Sequence, residues 1–497
     1  MLVGVYCQEL GPSRTNRFLG NIPFLRETSE DNSNISRISR GKSLSFKGEL
    51  DLESGSVYLV IGVCSQPSYD SEQVTEAEVV QDLPLIANIL KHNVTFTQGL
   101  YKVHFNTLQN PDIKIFAPEY DESKYSGGWT FTIYEANSKT LLGFRNISNG
   151  ITLLDADNSS ALFLTTPLPD TEQFSDNDTA IYNTYIYKAN DPSLWGLSES
   201  YCAVSNGNYV ANDSNADISY TTKLLGDESR QLVLMRDLEK NTRYDAYLAL
   251  RESDDDSPTG ILFPMISFST ADSDACELIY DLDFCSEVAY SVPSGLDLSN
   301  SELKVKYDSY AAAQYEGFNK SLQIVPCNVS NADQYSLMRT CSDCADSYKR
   351  WLCLTVIPRC FTQPDNAAIS LQGSYEGGSE NDAVSGLRVR TNNSRNAFVN
   401  SLEPKNYTEL LPCSYTCHKV MQDCPVQLQF QCASVHRGLY DSYGRLNKSV
   451  SSGEILDLDT ATCNFLGYVD KFGAAPSVKA DMFLLAAMTS ILGLILM

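Results

Sequence analysis

Through the first half of the chain, apolar and polar positions mostly alternate with a period of two. Ser56-Val57-Tyr58-Leu59-Val60-Ile61-Gly62-Val63-Cys64 is a β-branched run closed by Ser65-Gln66-Pro67, which predicts a strand. Tyr101–Asn106, Asp112–Ala117, Trp129–Tyr134 and Ala161–Thr166 have the same character, with Gly, Pro and Asn between them. No long 3.6-residue period interrupts them. An antiparallel sandwich over residues 47–175 follows, with order beginning near Ser56. Residues 1–46, rich in Ser, Arg and Asn from position 12 onward, read as a poorly ordered leader.

A second sandwich-like unit is expected over 176–272. Near its end stands Leu238-Glu239-Lys240-Asn241-Thr242-Arg243-Tyr244, followed by alternating apolar residues. A turn, Thr-x-Tyr and then a strand resembles a tyrosine corner, in which the phenol fixes how the strand begins. Cys64 and Cys202 are a candidate pair within or between the two units.

From residue 273 to 470 the pattern changes. Ser309–Phe318 has helical propensity. Cys341, Cys344 and Tyr348 are spaced 3 and 4; Cys413, Cys417 and Cys424 are spaced 4 and 7. On helices both spacings put the side chains on one face. Such cysteines can knit two helices to each other and to nearby loops. The Gly- and Asn-rich stretch 364–400 and the Ser/Asp-rich stretch 441–460 read as insertion loops. The chain is therefore expected to be multi-domain and α+β overall.

Composition decides the compartment. The 497 residues include fifteen cysteines, and twelve lie between Cys276 and Cys463. They are Cys276, Cys285, Cys327, Cys341, Cys344, Cys353, Cys360, Cys413, Cys417, Cys424, Cys432 and Cys463. Such a cluster reads as a disulfide framework formed in an oxidising compartment, with connectivity left open by spacing. N-x-S/T sequons at Asn34, Asn93, Asn146, Asn158, Asn177, Asn212, Asn319, Asn328, Asn392, Asn406 and Asn447 agree with passage through the secretory pathway. Met1–Tyr6 is too short for a signal peptide's apolar core, so the export signal is expected upstream of this sequence. The formal charge of −25 argues against nucleic acid as a partner.

Residues 471–497 carry a membrane signal. Gly473 and Ala474 supply small residues, a short polar spacer follows, and Met482–Met497 is apolar. The order fits a GPI-attachment signal; a retained C-terminal membrane helix is the alternative.

Candidate chemistry is sparse. Cys341-x2-Cys344 is half a zinc knuckle, but no second pair completes four ligands. The strand-then-helix setting of a thioredoxin CxxC is absent. There is no G-x-S-x-G motif, Gly-rich phosphate loop or EF-hand loop. No enzyme activity, metal or cofactor is expected. Trp351 and Arg359, lying between cysteines, are candidate partner contacts; a core position for Trp351 and an internal hydrogen bond for Arg359 are the alternatives.

One set of residues carries a resemblance. Cys341-x2-Cys344-x6-Trp351-Leu352-Cys353-x4-Pro358-Arg359-Cys360, with Pro412-Cys413-x3-Cys417, Cys424-Pro425 and Phe430-Gln431-Cys432, resembles the fungal family of stretch-activated calcium-channel components, the calcium influx-promoting Mid family. Val57-Tyr58-Leu59, Cys64-Ser65-Gln66-Pro67 and Tyr201-Cys202-Ala203 are similar to that family's N-terminal half. The resemblance implies a glycoprotein of the plasma membrane and endoplasmic reticulum whose partner is a four-repeat, voltage-gated-type calcium channel pore subunit. It implies a mainly helical, frizzled-like cysteine-rich domain on the channel's extracellular face. A pore needs several spanning helices or a closed barrel, and this sequence offers one marginal apolar run. The expected role is an auxiliary subunit promoting calcium influx on stress or stretch. The alternatives are a stretch-activated cation channel in its own right and a frizzled-like surface receptor or wall-associated binding protein.

Overall fold

A computed structural model describes residues 35–466, except 48–56, 90–91, 97, 106–111, 138–149, 169–180, 223, 225–228, 252–259, 296–297, 328, 330–334, 337, 362–385, 392–395, 434–435 and 446–461. Its helices are α1 (Glu76–Asp82), α2 (Tyr201–Asn206), α3 (Asn300–Leu322), α4 (Cys341–Val356), α5 (Ala397–Asn400), α6 (Ser414–Asp423) and α7 (His436–Ser442).

The first unit stacks two four-stranded antiparallel sheets. One runs Ser36–Ser39, Gly128–Asn137, Val57–Ser65, Leu100–Phe105; the other runs Ser43–Lys47, Asp112–Phe116, Ile86–Ile89, His92–Thr95. Their inner faces meet around Leu59, Ile61, Ile113, Ile115, Trp129 and Phe131, all nearly fully buried. Alternation along each strand puts these residues inside. The Trp129 indole N–H donates to the Leu83 carbonyl at 3.0 Å, so the large ring is buried without an orphaned donor.

The expected start of order needs correction. Ser36–Ser39 and Ser43–Lys47 are edge strands of this sandwich, and Ile38 and Phe46 lie in its core. Alternating Ile38, Leu44 and Phe46 are diluted by serines, which hides the period in a composition reading.

The second unit is also a sandwich, but its boundary lies earlier than 176. One sheet runs Ile151–Ala156, Ala161–Pro167, Arg230–Met235, Ala216–Thr221. The facing sheet holds Ala211–Asn212, Tyr182–Lys188 and Arg243–Arg251, with Gly260–Leu262 and Ile266–Ser269 both on the last of these. Residues 151–167 share their core with Val233, Tyr244, Ala246 and Phe268, not with the first sandwich. The Tyr244 hydroxyl accepts from the Glu239 N–H at 2.8 Å and donates to the Glu239 carbonyl at 3.4 Å. That is the geometry of a tyrosine corner.

The third unit combines α3, α4 and α6 with the hairpin Cys276–Ile279/Tyr290–Pro293 and a three-stranded sheet, Arg359–Cys360, Tyr407–Leu410, Leu387–Arg390. Capping boxes start two of the helices: Ser299 with Glu302 for α3, and Thr340 with Asp343 for α4. Pro358 follows α4 and cannot continue it. Stretch 364–400 is not all loop. Leu387–Arg390 pairs with Tyr407–Leu410, and α5 buries Val399. Residues 446–460 of the second expected loop lie outside the described residues, while α7 ends at Ser442.

Candidate functional site

All fourteen expected cysteines are paired; Cys7 lies outside the described residues. The pairs are Cys64–Cys202, Cys276–Cys360, Cys285–Cys353, Cys327–Cys341, Cys344–Cys424, Cys413–Cys463 and Cys417–Cys432. Within the third unit, only Cys344–Cys424 links α4 to the end of α6. The others tie a helix or strand to another segment, so each helix is clamped at both ends. Cys413 and Cys424 cap α6 rather than sitting within it.

The second sandwich is fastened on both sides. Its excursion 192–206 lies against the first sandwich, where Trp195 stacks on Tyr69 with ring centroids 6.0 Å apart. The Tyr69 hydroxyl donates to the Pro192 carbonyl, and Gln66 Nε2 donates to the Trp195 carbonyl at 2.9 Å. Leu197 and Ala203 enter the first core, and Cys202 closes the disulfide to Cys64. Gly99 permits this approach. Its φ is +78°, and a Cβ there would sit 3.0 Å from the Leu197 backbone.

Toward the third unit, Leu162, Leu164, Leu232 and Leu234 pack on Leu278 and Ala289. Beside them Arg359 Nε donates to Asp155 at 2.9 Å, and its Nη2 donates to the Leu154 carbonyl at 2.8 Å. The guanidinium lies 5.3 Å from the centre of the Tyr290 ring. Asp155 also accepts from the Ala156 and Ser291 N–H groups, at 2.8 and 3.2 Å. Burial raises its pKa, and Arg359 and those two N–H groups oppose the rise. Neighbouring Asp157 accepts from Leu278 N–H at 3.2 Å; its pKa is likewise raised by burial.

Arg359 is thus committed inside the molecule, which corrects its candidacy as a partner contact. Trp351 is half-buried. Its ring packs between two apolar clusters, and its indole N–H donates to the Tyr443 hydroxyl at 2.9 Å. Asp155 and Asp157 were missed as joint residues. Their partners lie over a hundred positions away, and no local pattern marks such pairing.

On the third unit a cleft of about 480 Å³ opens between α4 and α6, edged by Glu287 and Phe465. Its floor is Asp423, 1% exposed, whose carboxylate accepts from the Ser347 hydroxyl, from Lys419 at 2.7 Å and from Arg339 at 3.0 Å. Arg350 pairs with Glu287 at 2.8 Å on the rim. Among the described residues there is no group of three or more His, Cys, Asp or Glu placed to hold a metal ion. With its cysteines bonded, Asp423 paired, and Asp346 and Lys349 also on its lining, the cleft is equipped for polar recognition.

Of the sequon asparagines, Asn93, Asn319 and Asn406 are exposed. Asn158 and Asn212 are half-buried, and the Asn212 side chain caps a turn by accepting from Ser214 N–H at 3.1 Å. Asn34, Asn146, Asn177, Asn328, Asn392 and Asn447 lie outside the described residues, as do Gly473 and Ala474. No helix among the described residues is long and apolar enough to cross a membrane.

Residues 56–469, both sandwiches from the Val57 strand onward and the cysteine-rich unit, match the family model described as Mid1, stretch-activated Ca2+-permeable channel component. The chain belongs to the Mid1 family. It is 37% identical over 301 residues to "Stretch-activated cation channel yam8" of Schizosaccharomyces pombe, covering 59% of this chain and 57% of that protein. It is 32% identical over 351 residues to "Stretch-activated cation channel MID1" of Saccharomyces cerevisiae, covering 64% and 59%. A Cryptococcus neoformans relative of the same printed name is 26% identical over 295 residues, 53% of this chain and 45% of that protein. The chain therefore spans less than two thirds of the length of these curated Mid1 relatives.

Proposed function

We propose that this chain is an extracytoplasmic, non-enzymatic component of a calcium-permeable channel, acting as auxiliary subunit to a separate pore-forming protein. The observation that carries the reading is the family match over residues 56–469, which takes in the first unit from its Val57 strand onward and both later units. The partner we infer is a four-repeat, voltage-gated-type calcium channel subunit. The cysteine-rich unit is read as frizzled-like, glycans are placed at exposed Asn93, Asn319 and Asn406, and the C-terminal segment tethers the chain to the membrane. The assembly acts at the plasma membrane after passage through the endoplasmic reticulum and promotes calcium influx on stretch or stress.

Support for an auxiliary role comes from what a pore requires: several spanning helices or a closed barrel. The described residues build sandwiches and a disulfide-clamped unit, each with its own core. The printed names of the relatives favour a second reading, a stretch-activated cation channel in its own right. Reconstitution separates the two. The full chain alone in a planar bilayer under tension is expected to pass no current, and co-expression with the pore subunit is expected to raise calcium uptake. Tension-gated current from the chain alone would overturn the auxiliary reading in favour of the second.

A further inference from the structure

The disulfides are distributed unevenly over the two joints. Cys64–Cys202 crosses the first, between the sandwiches. The other six each join two residues of the third unit, so among the described residues no covalent bridge crosses the second joint. The first joint is also interlocked, since Leu197 and Ala203 of the second unit enter the core of the first. A load that pulls these two units apart is carried by a covalent bond. At the second joint the same load falls on non-covalent contacts and on the backbone.

Those contacts form a layer. On the strands Ala161–Pro167 and Arg230–Met235, the cross-strand pair Phe163–Val233 faces the sandwich core. The pairs Leu162–Leu234 and Leu164–Leu232 alternate with it and lie on the outer face, against Leu278 and Ala289 of the third unit. The outer face of a sandwich is ordinarily polar; here it is apolar because a second body covers it. The polar links lie beside this layer, at the edge strand Ile151–Ala156 and the turn after it. There Asp155 meets Arg359 and the Ser291 N–H, and Asp157 meets the Leu278 N–H.

The backbone link is short and anchored at both ends. The Ala271 N–H donates to the Asp157 carbonyl at 2.9 Å, and the Ser294 N–H donates to the Ala275 carbonyl at 3.0 Å. Cys276, next along, is bonded to Cys360. Between these anchors Asp272, Ser273 and Asp274 are exposed. Four Cα steps, fully extended, reach about 14 Å. Units parted at this joint stay within that reach, so the leucine faces meet again at high effective concentration.

We propose that the molecule moves as two bodies, the paired sandwiches and the cysteine-rich unit, and that the second joint is a leashed hinge that opens under load before either body unfolds. Opening parts Leu162, Leu164, Leu232 and Leu234 from Leu278 and Ala289 and breaks the Arg359–Asp155 pair. Closing restores both. Hinges of this kind place the motion in a few linking residues and leave the bodies intact. The hinge goes beyond the auxiliary reading and holds whichever protein forms the pore.

Optical tweezers on the full, oxidised chain test this, with bioorthogonal handles at exposed Ser71 in the first unit and Lys306 in the third. The expected record is a first extension step that reverses on relaxation, followed at higher force by unfolding. Leu232→Ala/Leu234→Ala should lower the force of that first step at least twofold. Leu278→Ala and Arg359→Met should each lower it too, acting from the third unit, so that weakening of one body alone cannot produce the whole pattern. The later steps should remain in all three variants. Cys64→Ser/Cys202→Ser should add a second reversible step, from the joint it unlocks. A first step of 100 Å or more would overturn the hinge, because it requires about thirty residues of unfolded chain. So would a first step whose force ignores the variants on both sides of the joint, or unfolding with no reversible step before it.

Discussion

Arg359 shows what burial does to a single charged side chain. Its forked donors reach Asp155 and the Leu154 carbonyl together, and the Tyr290 ring covers it. Arg359→Met should destabilise the joint between the second and third units by about 3–5 kcal/mol, because Asp155 would be left buried without its cation. Arg359→Lys should recover only part of this, since one ammonium cannot replace a planar fork. Differential scanning calorimetry of the two variants checks both. Asp213 offers a pH prediction. Its carboxylate accepts from Thr184 N–H at 2.9 Å, and burial raises its pKa to about 7. The unfolded chain releases this proton near the ordinary 3.8. The stabilising contribution is therefore complete below about pH 4 and is lost as pH rises through 7. Asp213→Asn keeps an acceptor for Thr184 and removes the titration. Because the side chain is not fully buried, the gain at pH 8 is discounted to about 1–2 kcal/mol. Near pH 4 the variant and wild type should melt together; a gain of equal size at both pH values would refute the assignment.

At the scale of elements, the helices of the third unit owe their ends to chemistry visible in the sequence and their placement to covalent bonds that are not. Thr340 and Asp343 start α4 and Pro358 stops it, so its length is local. Which face meets α6 depends on Cys344 finding Cys424, 80 residues later. Spacing put these cysteines on helix faces but left the pairing open, because many connectivities satisfy the same spacing. The excursion 192–206 is fixed in the same way by Cys64–Cys202, which closes 138 residues. Replacing both cysteines by Ala should cost about 2 kcal/mol more than the same change at Cys417–Cys432, which closes 15. The difference follows from loop entropy, which grows with the logarithm of the loop length. Urea unfolding of the two double variants measures it, and equal losses would show that native contacts, not chain entropy, hold the excursion.

Across the whole molecule, three units sit in series with fastened joints. The first joint is a disulfide with a Trp195–Tyr69 stack; the second is a leucine layer beside a buried Arg–Asp pair. Such joints suit a chain that transmits force, since pulling on one unit loads its neighbour through buried contacts. If transmission through the second joint matters for the proposed role, Arg359→Met should lower stretch-evoked calcium uptake in cells while surface abundance of the chain stays constant. Uptake matched to abundance would separate stability from transmission.

The sequence by itself determined the period-two strands, the tyrosine corner at Tyr244, the oxidised state of the cysteines and the family. These are written in nearest-neighbour patterns, in composition and in the Cys341–Cys432 spacing. It placed the start of the first sandwich too late and the start of the second too late, because serine-diluted edge strands carry a weak period and sandwich membership depends on which core a strand faces. Only the tertiary structure decided that Arg359 is spent on Asp155, that half-buried Trp351 gives its N–H to Tyr443, and which cysteines pair. Each depends on residues distant in the chain meeting in space, and burial and pairing energies there are set by the partner rather than by the sequence around either residue.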